Sequence, residues 1–337
     1  MKKFSTVLLV LLIASATLFA GVNFSGGMKA GYKFTIKDGV TTAPITAGGV
    51  ANQDGYLYLN VTDDAKIFKI TFKGTPDLNE SDYMKANLSV SLTNSLKAAG
   101  LDTGDFGASL SIGSNGNMSG LNVYSDPLST LGDNSYKLRT SGGYSTGLTL
   151  SYSTIVTANV ASNFKEGGEA NVVVSASTTP VAGVSASFGY ANLYQNKHTG
   201  LTGKNAIDGA VAVDVAKLAS LEDLALVVSA HDAYYLDTKL NYLTASAKVA
   251  YAKITGIVEY SMYNKVNGLT VKGIYDGIEN LSVYAKYALA DFSQAKDTSS
   301  IGAGASYKLA GVTYGLDLGF ALINNAFTVG PYVKVTF

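Results

Sequence analysis

The last twelve residues, Ala326 to Phe337, alternate between two kinds of side chain. Phe327, Val329, Val333, Val335 and Phe337 share one face of an extended strand; Thr328, Gly330, Tyr332, Lys334 and Thr336 share the other. Successive strand side chains point to opposite sides, so this segment has one oily and one wet face. The pattern recurs upstream. Leu281, Val283, Ala285, Tyr287 and Leu289 oppose Ser282, Tyr284, Lys286 and Ala288. Ile301, Ala303, Ala305, Tyr307 and Leu309 oppose Gly302, Gly304, Ser306 and Lys308. Val312, Tyr314, Leu316, Leu318 and Phe320 oppose Thr313, Gly315, Asp317 and Gly319.

One face stays oily over about ten residues, the length a tilted strand needs to cross a bilayer. The alternation predicts strands at 327–337, 312–321, 299–309, 280–290, 267–276, 253–263, 240–251 and 222–232. Further back it predicts 205–215, 182–192, 168–178, 147–156, 134–144, 117–124, 105–113 and 83–93. Phe24 to Phe34 reads as one more. Residues 55–73 read as a single strand bulged at Asp63-Asp64, where the alternation slips phase. The expected fold class is all-β: a transmembrane antiparallel up-and-down barrel of about eighteen strands, with sixteen as the alternative, both being even. Short turns alternate with long polar loops, and both termini fall on the short-turn side.

Composition agrees with strands and turns. The chain has 36 Gly, 22 Tyr, 5 Pro, no Trp and no Cys, and 15% charged residues. Disulfides and thiolate metal sites are excluded. Residues 1–20 read as a signal peptide: Lys2 and Lys3, an apolar run from Val7 to Ala14, then small residues up to Ala20. Residues 21–337 are then one barrel domain, and no later apolar run is long enough for a membrane helix.

The wet face carries the charge. Its bases are Lys29, Lys33, Lys69, Lys73, Lys85, Lys137, Arg139, Lys248, Lys253, Lys272, Lys286, Lys308 and Lys334. Its acids are Asp208, Asp214, Glu259 and Asp317. The other twenty-one of the 25 acidic residues fall in connections or at strand ends. An overall neutral chain therefore hides a basic lining, which would enrich anions in a water-filled lumen. The plain alternative is that lysine is merely a soluble filler whose charge an acidic loop balances. Tyr190, Tyr260, Tyr287, Tyr307, Tyr314 and Phe337 are candidates for aromatic girdles at the membrane surfaces.

In its signal peptide, alternating strands, turn rhythm and terminal Phe337, the chain resembles a general porin of the Gram-negative outer membrane. The resemblance implies passive diffusion of small hydrophilic solutes, an outer-membrane lipid environment and a homotrimer. It also implies a loop between the fifth and sixth strands that folds inward. Here that loop is 125–134, with Asp126, Pro127 and Asp133, facing lysines such as Lys137, Lys286 or Lys308, and Arg139. Classical members carry several arginines at the constriction, whereas Arg139 is the one arginine of this chain. Val335 and Phe337 match the apolar-x-aromatic end read by the barrel-assembly machinery, although Tyr332 stands where that signal often has Gly.

Catalytic chemistry finds little support. His198 and His231 are the two histidines, and His231 and Asp232, as strand neighbours, point apart. No spacing of His, Asp and Glu reads as a metal site, no glycine run precedes a helix, and neutral charge gives no reason to expect nucleic acid. No cofactor is implied. The alternatives to a diffusion porin are a substrate-selective channel of the same architecture and an occluded surface barrel that works through its loops.

Overall fold

The computed structural model describes residues 21–37, 40–42, 56–74, 85–113, 144–164, 171–194 and 204–337. The chain runs through β1 (Val22–Gly31), β2 (Phe34–Lys37), β3 (Val40–Thr42), β4 (Tyr56–Asp63), β5 (Phe68–Gly74) and β6 (Lys85–Ser91). Helix α1 (Leu92–Ala98) leads to β7 (Phe106–Gly113), β8 (Tyr144–Tyr152), β9 (Val156–Phe164), β10 (Asn171–Val181), β11 (Val184–Tyr194) and β12 (Lys204–Asp214). After α2 (Val215–Leu218) come β13 (Leu224–Tyr235), β14 (Leu240–Tyr251), β15 (Ile254–Tyr263), β16 (Val266–Ile278) and β17 (Leu281–Leu289). A last short helix, α3 (Ala295–Thr298), precedes β18 (Ser299–Leu309), β19 (Val312–Ala321) and β20 (Ala326–Thr336).

Every strand pairs antiparallel with its neighbours, and β1 pairs with β20, so the sheet closes on itself. β1 and β2 both pair with β20, and β4 and β3 pair with β1 and β2, so these four segments form two staves. The twenty segments thus make a closed barrel of eighteen strands. Closure leaves no unpaired edge, which is the condition for a sheet to stand in hydrocarbon. Among the described residues, no helix is long and apolar enough to cross a membrane.

The break between β1 and β2 has a local cause. The Tyr32 N–H donates to the Pro331 carbonyl at 2.9 Å, but proline has no N–H to return the bond. A tight turn joins β18 to β19. Ala310 and Gly311 both have positive φ, 48° and 84°, as a two-residue turn matched to strand twist requires.

The strands differ from the sequence reading in two regions. Residues 55–73 are two strands, not one bulged strand. Asp63 ends β4: its carbonyl accepts from the Lys66 N–H at 2.9 Å and its carboxylate from the Phe68 N–H at 2.8 Å. Lys66 takes φ 53°, and the chain reverses. The apparent phase slip was this reversal. Farther on, β7 pairs directly with β8, so no strand stands between them in the sheet. Residues 117–124 and most of 134–144 lie outside the described residues. The expected strand at 147–156 is instead β8, which turns at Ser153 (φ 52°) into β9. Two strands gained, the second half of 55–73 and β9, and two expected strands with no place between β7 and β8 leave the total at eighteen.

The register carries a single inside–outside phase around the ring. On the outside, Ile301 faces Phe320, and Phe320 faces Phe327; Tyr307 faces Tyr314, and Tyr314 faces Val333. Met28 faces both Val335 and Leu57, so the phase passes through the closure without a slip. Tyr307, Tyr314 and Phe337 lie outward at the end of the barrel that holds the termini. Tyr190, Tyr260 and Tyr287 lie outward toward the other end. The set therefore splits into two levels, as girdles require.

The inside is lopsided. Val173, Ala191, Ala206, Ala233, Tyr235 and Tyr242 form a buried apolar cluster on the inner face of β10–β14. Asn159, Ser175, Asp208, Ser229, His231, Thr244 and Glu259 are buried on the same inner wall, from β9 to β15. The inner face of β16–β20 and β1 is half-exposed instead.

Candidate functional site: the lumen wall

The half-exposed wall is built from lysine, tyrosine and glycine. Tyr332 of β20 and Gly315 of β19 face each other on the inner side. A side chain at Gly315 would run into the Tyr332 ring, so the ring lies flat across the glycine. The Lys29 ammonium sits over the same ring, 4.2 Å from its centre. The arrangement repeats two strands away. Tyr284 of β17 lies across Gly304 of β18, and the Lys272 ammonium sits 4.7 Å from the ring centre. The ring quadrupole attracts the cation, and the glycine supplies the clearing that lets the ring lie down.

Each stacked lysine faces a second lysine across the ladder: Lys29 opposite Lys334, and Lys272 opposite Lys286. The register also places Lys73 opposite Lys85. Like charges directly opposite each other destabilise a sheet, so the Lys29–Lys334 and Lys272–Lys286 pairs are costly for folding. Asp317 tempers the wall. It sits opposite Gly304 and Gly330, and its carboxylate accepts a hydrogen bond from the Tyr284 hydroxyl at 2.8 Å. Lys29, Lys33, Tyr284, Asp317, Thr328 and Tyr332 line one depression of about 260 Å³.

Other predicted residues take different places. Lys69 faces inward opposite Thr62 and Ser89, and Lys248 opposite Val227 and Ile257. Lys308 faces inward opposite Thr313, close to the end that holds the termini. Two expectations fail. Lys253 is not on a strand face: it lies in the turn between β14 and β15, beside Ala252 at φ 51°. Asp214 closes β12, and its carboxylate accepts from the Lys217 N–H at 3.0 Å, capping α2 at the barrel rim. A short polar residue before a helix satisfies an orphan N–H there, and that use overrides a lumen role. Lys137, Arg139, Asp126, Pro127 and Asp133 lie outside the described residues, as does the segment 1–20.

Asp208 and Glu259 belong to the buried wall. His231 Nε2 lies 2.9 Å from Asp208 Oδ2, both fully enclosed. Ser229 and Ser246 share a hydrogen bond of 2.6 Å next to Glu259, which stands opposite Ser246. Sequence reading set His231 aside because Asp232 points away from it. The partner is Asp208 on the adjacent strand, reached because Ala210 stands opposite His231 and Asp208 opposite Ala233. The inward phase shared by Asp208 and His231 was the available signal. Among the described residues, no three His, Asp or Glu side chains group as a metal site. Among the described residues the wall offers fixed cations and hydrogen-bond donors.

Comparison with protein-family profiles and with curated protein sequences found no match. Comparison with solved structures did. An engineered form of the Rhodopseudomonas blastica porin aligns over 94% of this chain and 100% of its own, with a TM-score of 0.52 at 13% identity. A second engineered form of that porin aligns over the same shares, with a TM-score of 0.52 at 14% identity. Identity this low speaks to fold alone, and the fold agrees with the closed antiparallel ring and its single phase. This chain is a closed antiparallel β-barrel of eighteen strands with the fold of that porin.

Proposed function

We propose that this protein is an outer-membrane porin: a water-filled channel through which small hydrophilic solutes and ions diffuse passively, anions in preference. The observation that carries the reading is the closed ring with one unbroken phase, oily outside and lysine-bearing inside. A charge costs roughly 2–4 kcal/mol at the lipid-facing midplane of a barrel, whereas a lumen hydrates it. Inward lysines concentrate anions at the wall and raise their passage over cations.

In this reading the outer surface meets outer-membrane lipid, with the tyrosine levels at the two interfaces. Val335 and Phe337 mark the closing strand for the assembly machinery, and three copies associate through their outer faces. The connection at 125–134, with Asp126, Pro127 and Asp133, narrows the passage opposite Lys137, Arg139, Lys286 or Lys308. The resemblance to general porins supports the last two points.

Planar-bilayer recording tests the reading. Purified protein is expected to give stepwise conductance, and a potassium chloride gradient is expected to give a reversal potential of anion sign. No conductance would overturn the channel, leaving the occluded surface barrel. A cation-signed potential would overturn the basic lining but not the barrel. A current saturable by one solute class would replace general diffusion with selective transport.

A further inference from the structure

The geometry points to two anion stations on the lumen wall, Lys29–Lys334 and Lys272–Lys286, that each bind a multivalent oxyanion in passage. The inference deepens the anion-channel reading and rests on it. Four observations converge. First, each station is a directly facing lysine pair on the inner side of the ladder. Facing residues in a sheet stand roughly 5 Å apart, so two ammonium groups can close on one oxyanion.

Second, all four lysines are half-buried, and neither Lys286 nor Lys334 has a carboxylate within 4.0 Å among the described residues. A half-buried charge without a counter-charge recruits an ion from solution. Third, one lysine of each pair is held over a tyrosine: Lys29 on Tyr332 and Lys272 on Tyr284. The stack fixes one arm of the pair, and the other arm is left to close on the anion. Fourth, the wall is kept clear by inward glycines. Gly302, Gly304 and Gly315 lie beside the stations, and the last two accept tyrosine rings that no other residue would allow to lie flat.

The chemical class follows. A monovalent halide relieves the repulsion of two ammonium groups only in part. A dianionic oxyanion such as phosphate or sulfate balances both charges and accepts several N–H bonds at once. Asp317, in the same depression, offsets part of the positive charge. That keeps residence short, as conduction needs a site weak enough to leave.

The test uses the full chain in planar bilayers, with inorganic phosphate as the probe against a fixed chloride current. Phosphate is expected to reduce the chloride current saturably. Lys286→Gln and Lys334→Gln together are expected to raise the half-blocking concentration about tenfold, the ratio that goes with losing one charge-assisted contact at each station, and each alone only about twofold. Tyr332→Leu is expected to weaken the block as well, while Tyr332→Phe, which keeps the ring, restores it. Lys248→Gln, which removes an inward lysine with no lysine opposite, is expected to weaken the block less than either single station variant. Equal weakening by Lys248→Gln would overturn the stations in favour of a diffuse field. Anion-signed conductance without saturable block would overturn them while leaving the channel reading intact. A second readout is independent of current: phosphate should raise the thermal midpoint of the detergent-solubilised protein, and less so in Lys286→Gln. If conductance is absent and that shift persists, the stations stand and the channel falls; if both are absent, both fall.

Discussion

The Gly26 N–H donates to the Phe337 carbonyl at 2.8 Å, and the Phe337 N–H returns a bond to the Gly26 carbonyl at 3.0 Å. The last residue of the chain thereby closes the barrel against its first strand. The Phe337 ring covers Gly26, where an added Cβ would come within 2.7 Å of a ring carbon and of the Tyr58 carbonyl oxygen.

Gly26→Val is therefore expected to lower the yield of closed barrel, at a cost of about 1–3 kcal/mol for overpacking against backbone. Removing Phe337 deletes the reciprocal bonds and is expected to do the same. The check is the fraction migrating as compact barrel on unheated electrophoresis. Unchanged fractions would mean that closure does not depend on this pair.

Asp208 and His231 are expected to matter for stability. Asp208→Ala removes the carboxylate 2.9 Å from a fully enclosed imidazole, and leaving a buried polar group one hydrogen bond short costs about 1–3 kcal/mol. Unfolding of the detergent-solubilised variant by denaturant measures it. A change under about 0.5 kcal/mol would show that the pair does not support the fold.

Charge reversal should depend on which face carries the residue. Lys272→Glu with Lys286→Glu is expected to move the reversal potential toward the cation sign. Lys253→Glu, in a turn at the barrel rim, is expected to move it far less. A shift half as large, the ratio of the charges changed, would show that net charge, not the wall, sets selectivity.

The phase itself can be read with a fluorophore, because the chain has no Trp. Leu316→Trp, on the outer face, is expected to be quenched by brominated lipid. Ser306→Trp, on the inner face of the adjacent strand, is expected to be quenched by aqueous iodide instead. The reverse pattern would invert the assignment of the two faces.

Much of this barrel was legible because strand periodicity is local. A phase read from Phe327 to Phe337 extends strand by strand through facing residues, so Lys29, Lys272, Lys286 and Lys334 could be placed inward before any pairing was known. Turns were harder. Asp63 to Lys66 reads equally as a bulge or a reversal, since both shift the alternation, and only the register of β4 against β5 separates them. Asp214 and Lys253 kept the inward phase in sequence, but the chain leaves the sheet at those points.

Side-chain partnership was out of reach for a different reason. Which lysine faces which, that Tyr284 and Tyr332 lie down over Gly304 and Gly315, and that His231 reaches Asp208 all depend on the offset between strands. Sequence by itself determined the two faces, because side-chain alternation is a property of each strand alone; the total of eighteen agreed only because gains at 55–73 and β9 offset the strands expected between β7 and β8. The register, the facing lysine pairs and the buried inner wall were decided by the closed ring, because a residue's cross-strand neighbour exists only after the strands have paired.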